Sequence, residues 1–66
     1  MKNYIKEERT RQLLTQAELA ERVQVSRQTI ISIESGRYLP STVLSLKLAK
    51  VLKKKVEDLF ELENSD

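Results

Sequence analysis

The sequence predicts a compact all-α domain of five short helices over residues 1–66. Three observations carry that prediction. No stretch shows the apolar–polar alternation of a half-buried strand. The strong breakers, Gly36 and Pro40, lie close together and leave the rest of the chain uninterrupted. Thr15, Ser26 and Ser41 each stand where a helix cap belongs, ahead of apolar residues at helical spacing.

The first helix is expected from Lys2 to about Leu13, with a thin apolar face of Tyr4, Ile5 and Leu13. Thr15 starts the second. Glu18, three residues on, completes a capping box, and Leu14 and Leu19 occupy the positions of a hydrophobic staple. Leu19, Ala20 and Val23 form its inner stripe. Val23-Gln24-Val25 is a short break, and Ser26 caps a third helix with Val25 and Ile30 at its staple positions. Ile30 and Ile33 are three apart and share a face, which turns Arg27, Gln28 and Ser32 outward. Gly36 stands where a left-handed cap ends that helix. After the loop Arg37-Tyr38-Leu39-Pro40, Ser41 caps a fourth helix running to about Lys53, with Leu44, Leu48, Ala49 and Leu52 inward. Val56 to Phe60 reads as a last short helix with Val56, Leu59 and Phe60 apolar.

Composition narrows the function. A chain of 66 residues makes one small domain, marginal without help from a metal, a disulfide or a partner. With Cys 0 and His 0, the first two are closed, which leaves tight helix packing or a second copy. No nucleophile–base pair, glycine-rich phosphate loop or metal-ligand cluster is present, so neither an enzyme nor a cofactor is expected. No apolar run approaches the ~18 residues of a membrane span, and no signal segment opens the chain. The expected location is cytoplasmic, on the nucleoid when bound to DNA. Charge is divided along the chain. All 12 basic residues lie within 1–55, whereas 56–66 carry Glu57, Asp58, Glu61, Glu63 and Asp66 and no base. A basic body suits a polyanion, and an acidic tail should point away from it.

The informative stretch is 15–36: two capped helices separated by a short turn, the second with an apolar inner face and Arg27-Gln28-Thr29 at the start of its outer face. A DNA major groove admits one helix, read out through side chains near its N-terminus. A guanidinium matches the two acceptors of guanine, and a carboxamide matches the donor and acceptor of adenine. Ile31 suits either a thymine methyl or the edge of the core. Lys53-Lys54-Lys55 reads as a solvated helix end that complements the helix dipole.

The segments Thr15-Gln16-Ala17-Glu18-Leu19-Ala20, Val25-Ser26-Arg27-Gln28-Thr29-Ile30 and Ile33-Glu34-Ser35-Gly36-Arg37 resemble the helix-turn-helix family of phage repressors and Cro proteins, also called the XRE family. The likeness extends through Tyr38-Leu39-Pro40-Ser41 to Glu57-Asp58-Leu59-Phe60 and covers nearly the whole chain, most closely resembling the short stand-alone bacterial and archaeal members. It implies a lambda-repressor-like fold and a transcriptional regulator, expected to act as a repressor; the chain offers no ligand-binding domain, so no small-molecule ligand is expected. It further implies base contacts by Arg27, Gln28, Thr29 and Ser32, phosphate contacts by Gln16, Arg37, Tyr38 and Ser41, and a structural Arg9–Glu34 ion pair. Tyr38 could alternatively pack on the domain.

The expected working form is a homodimer on an inverted-repeat operator. Its two recognition helices, residues 26–35, would enter major grooves about 34 Å apart. Dimerisation is expected through the C-terminal helix and tail, 56–66, by Val56, Leu59, Phe60 and Leu62. Antitoxin, restriction-system controller and protein–protein adaptor remain open alternatives. Four departures from the family pattern are visible. Leu13 and Gln24 occupy turn positions where Gly is common, Glu8 stands at an apolar position, Thr42-Val43 displaces an apolar residue by one, and Lys55 replaces a capping hydroxyl. They bear on stability rather than on the proposed readers.

Overall fold

The computed structural model describes residues 1–66. The order is β1 (Lys2–Asn3), α1 (Ile5–Arg11), α2 (Gln16–Val23), α3 (Arg27–Glu34), α4 (Thr42–Leu52), α5 (Val56–Leu59) and β2 (Phe60–Glu61). Five helices are present as expected, and the inner stripes of α2, α3 and α4 join one cluster; of the face expected for the first helix only Ile5 does, because α1 ends at Arg11 and Leu13 lies exposed in the turn that follows. Ile5, Leu19, Ile30, Leu48, Leu52 and Leu59 are fully buried, and Val23 and Ile33 nearly so. No helix is long and apolar enough to cross a membrane.

The caps form where the hydroxyls stand. Thr15 accepts from the Glu18 amide at 3.0 Å while the Glu18 carboxylate accepts from the Thr15 amide at 2.8 Å, a complete capping box. Ser26 accepts from Thr29 N at 3.2 Å, and Ser41 from Leu44 N at 3.1 Å. Lys55 offers no side-chain cap to α5. Gly36 follows α3 with φ 80°, and the amides of Arg37 and Tyr38 turn back to the Ser32 carbonyl.

Two expectations at the chain ends are corrected. The first helix does not begin at Lys2, and Phe60 is not helical. These segments instead pair as antiparallel strands, Lys2 with Glu61 and Asn3 with Phe60. Tyr4 N continues the pairing by donating to Leu59 O at 2.9 Å. Strands of two residues have no periodicity to read, and a pairing between opposite ends of the chain is a purely tertiary event. Asn3 fixes the junction. Its side chain donates to the Ile33 carbonyl at 2.9 Å and accepts from Ile5 N at 3.3 Å. The second correction concerns Leu59. It is completely buried in this chain's own core and presents nothing to a partner, while Val56 and Phe60 are half-buried against that core and only Leu62 is exposed.

The acidic tail folds back over the N-terminus. The Met1 amine lies 3.0 Å from Glu63 and 3.2 Å from Asp66, and Tyr4 donates its hydroxyl to Glu61 at 2.7 Å. Hydrogen bonds to Glu63 and then Asp66 raise the amine's pKa above its usual value, and the Glu61 bond raises that of Tyr4. The Asp66 carboxyl is lowered, chiefly by accepting from the Glu63 amide.

Candidate nucleic-acid interface

Burial of Ile30 and Ile33 fixes the rotation of α3. Both are inaccessible to solvent, so the opposite side of the helix must face outward, and Arg27 and Gln28 are exposed as expected. Ser32 and Ile31 are half-buried, one turn further along. Thr29 is half-buried too, and its hydroxyl lies 2.9 Å from that of the cap Ser26. Gln28, Thr29, Ser32 and Tyr38 line one open groove together with Ser26. Three of the four expected base readers therefore meet in one place, beside an expected phosphate contact.

Arg27 lies apart from that groove. It shares a second one, about 470 Å3, with Arg9, Leu14, Thr15 and Gln16 at the start of α2. The first-turn amides of α2, Gln16 and Ala17, have no carbonyl one turn earlier to bond, so this end of the helix favours an anion. The exposed Arg27 guanidinium adds to that preference, whereas the charge of Arg9 is neutralised by Glu34.

Tyr38 and Arg37 are exposed in the loop after α3, and Ser41 is exposed at the start of α4. Tyr38 does not pack into the core. Although Ser41 accepts from Leu44 N, its own O–H remains a donor. Arg37 lies on neither groove wall.

The expected ion pair is present and extends further than the residue pattern indicated. Arg9 Nε meets Glu34 Oε2 at 2.7 Å, and Nη2 reaches Oε1 at 3.3 Å. Arg9 Nη1 also donates to the Leu14 carbonyl at 2.8 Å. Gln16 Nε2 donates to the same Glu34 carboxylate at 3.1 Å, and its Oε1 accepts from Arg27 Nη2 at 3.3 Å. One hydrogen-bonded series thus joins α1, the end of α3, the start of α2 and the start of α3. The residue pattern alone marks Arg9–Glu34 as scaffold and Gln16 and Arg27 as separate contacts. The links between them cross three helices and leave no local signal.

The backbone at the turns retains the geometry a glycine would take. Leu13 has φ 59° and Gln24 φ 62°, both left-handed, and Lys53 at φ 58° is a third such position that sequence reading missed. Gln24 receives a hydrogen bond from Lys47 at 3.0 Å.

Two capped helices set by a buried isoleucine pair, with a basic and hydrogen-bonding outer face, define a helix-turn-helix domain. A helix-turn-helix family model matches residues 5–59. The chain is 48% identical to an uncharacterized HTH-type transcriptional regulator of Methanocaldococcus jannaschii over 66 residues, covering all of both chains. It is 47% identical to a regulator of the same description from Bacillus subtilis, again over the full length of both. Among solved structures it is similar to the restriction-modification controller protein C.AhdI from Aeromonas hydrophila. That likeness has a TM-score of 0.78 and 34% identity, and covers 85% of each chain. The chain belongs to the helix-turn-helix family of DNA-binding transcriptional regulators.

Proposed function

We propose that this protein is a sequence-specific repressor that binds an inverted-repeat operator in duplex DNA as a homodimer, with α3 in the major groove. The observation that carries this reading is the burial of Ile30 and Ile33, which leaves Arg27 and Gln28 exposed at the N-terminal end of α3. Arg27, Gln28, Thr29 and Ser32 are the base readers. Gln16, Arg37, Tyr38 and Ser41 hold phosphates, with Gln16 at the anion-favouring start of α2. Arg9 and Glu34 orient Gln16 rather than touch DNA. One such module covers only about 600–1,000 Å2 of protein surface on DNA, which favours two copies on one operator.

Selection of bound duplexes from a random pool tests the reading. The expected product is a symmetric site with half-sites one helical turn apart. Arg27→Ala is expected to cost about 1–3 kcal/mol on that site and to relax preference at one base pair. Gln16→Ala is expected to weaken all sequences alike, because phosphates carry no sequence information. Equal losses on selected and random DNA for Arg27→Ala would remove direct readout by that residue. A restriction-modification controller is the second reading, favoured by the likeness to C.AhdI. An operator recovered beside restriction genes would favour it over a general repressor.

A further inference from the structure

One apolar residue on the outward side of α3 is used neither by the core nor by the contacts assigned above. Ile31 is half-buried, yet it stands outside the aliphatic cluster and outside the set of partly buried residues packed against it, Val25, Val51, Val56 and Phe60. Each residue of an α-helix is turned about 100° from the last. Ile31 therefore projects about 100° from the buried Ile30 and about 160° from the buried Ile33. On the same wheel it falls between Arg27 and Gln28, about 40° from the first and about 60° from the second. The two grooves part at this point. Arg27 lines the one beside α2 and donates to Gln16 at 3.3 Å, whereas Gln28 and Ser32 line the other with Tyr38. Ile31 lines neither and forms the ridge between them.

We propose that Ile31 reads a thymine of the operator through its C5 methyl group. The inference rests on the DNA-binding reading and adds a specificity residue to it. The thymine methyl is the one apolar feature that base pairs present in the major groove. The other outward residues of α3, Arg27, Gln28 and Ser32, carry hydrogen-bonding groups and match polar base edges. Ile31 alone on that face offers aliphatic surface, and its place on the ridge puts that surface where the helix first meets the groove floor. A β-branched side chain in a helix holds mainly one χ1 rotamer. The ridge is therefore ordered before contact and loses little freedom on binding. Arg27, drawn toward Gln16, leaves it uncovered on that side.

A solitary aliphatic on a surface needs no function of its own, so the decisive change is made on the DNA. Each thymine of the selected half-site is replaced in turn by deoxyuridine, which removes the methyl and keeps every hydrogen bond of the pair. With the wild-type chain, replacement at one position is expected to weaken binding about fourfold, the effect of one buried methyl group. At that position Ile31→Ala is expected to bind the thymine and uracil duplexes equally, and Ile31→Val to keep most of the discrimination. Lower stability of a variant cannot imitate this result, because an unfolded fraction weakens both duplexes in the same proportion and leaves their ratio unchanged. Thymine-over-uracil preference retained in full by Ile31→Ala would give the methyl contact to another residue and overturn the assignment. A selected site without thymine, or one in which every thymine tolerates uracil, would overturn it too while leaving the regulator reading intact. A chain that selects no duplex at all would overturn that reading and this contact with it.

Discussion

The α2–α3 unit and the rim that supports it are built by different rules. Both helices of the unit begin at a side-chain cap, one of them a full capping box, and both bury aliphatic residues with no polar intruder. On the rim, α1 begins at Tyr4 and α5 at Lys55, neither with a side-chain cap. α1 also turns Glu8 inward. Its Oε1 has no hydrogen-bond partner, and the nearest cation, Arg11 Nε at 3.8 Å, is too distant to donate. Local signals thus mark α2 and α3, and α4 with its Ser41 cap and wholly aliphatic inner face, but fail at the two end helices. The rim is held by long-range contacts, such as the strand pair and the Asn3 bonds, and accepts imperfections.

The Arg9–Glu34 pair is the seam between the two regions, and breaking it has the largest expected effect. The side chains are only 12% and 6% exposed. Arg9→Ala leaves the Glu34 carboxylate buried with Gln16 as its remaining side-chain partner. Loss of one member of a buried pair costs about 3–5 kcal/mol, measured by urea denaturation. Pairing it with Glu34→Ala is expected to recover part of that loss, since the stranded charge is gone. A double variant as unstable as the single would mean that the pair acts by packing alone.

The contrast also explains what the sequence could tell. Caps, staples and the Ile30–Ile33 face depend on residues three or four apart, so α2, α3 and the outward placement of Arg27 and Gln28 were legible. The β1–β2 pairing joins residues at opposite ends, and the Gln16–Glu34 and Arg27–Gln16 bonds join separate helices. No local pattern encodes those. Leu59 shows the limit most clearly. An apolar residue on a short terminal helix suits a core and a dimer surface equally well, and only tertiary placement separates them.

Glu8 offers the converse test, an improvement on the rim. Glu8→Leu removes an unsatisfied buried oxygen and is expected to stabilise the protein by about 1–3 kcal/mol, with DNA affinity unchanged. Unchanged or lower stability would mean that the Arg11 contact matters more than its length suggests. Within the unit, Thr15→Ala removes a cap and is expected to cost about 1 kcal/mol. The same box has an acid limb. The Glu18 carboxyl is held below its ordinary value of 4.5, first by the Thr15 amide and then by the Thr15 hydroxyl side. A lowered folded pKa stabilises above that ordinary value and is lost as pH falls through the folded one. Melting curves of wild type and Glu18→Gln should therefore differ at neutral pH and converge in acid below 4.5.

The smallest expected effect separates geometry from residue identity at the hinge of the unit. Gln24 closes α2 in a left-handed conformation, which a side chain with a Cβ disfavours by roughly 1 kcal/mol relative to glycine. Its bond from Lys47 is exposed and offsets little of that. Gln24→Gly is therefore expected to raise stability by about 0.5–1 kcal/mol. The turn already has the backbone angles that glycine would adopt, so the angle between α2 and α3, and with it operator preference, should not change. A stabilised variant with altered base preference would show that Gln24 sets the reading angle itself. A destabilised one would show that the Lys47 bond, which ties α4 to this turn, outweighs the strain.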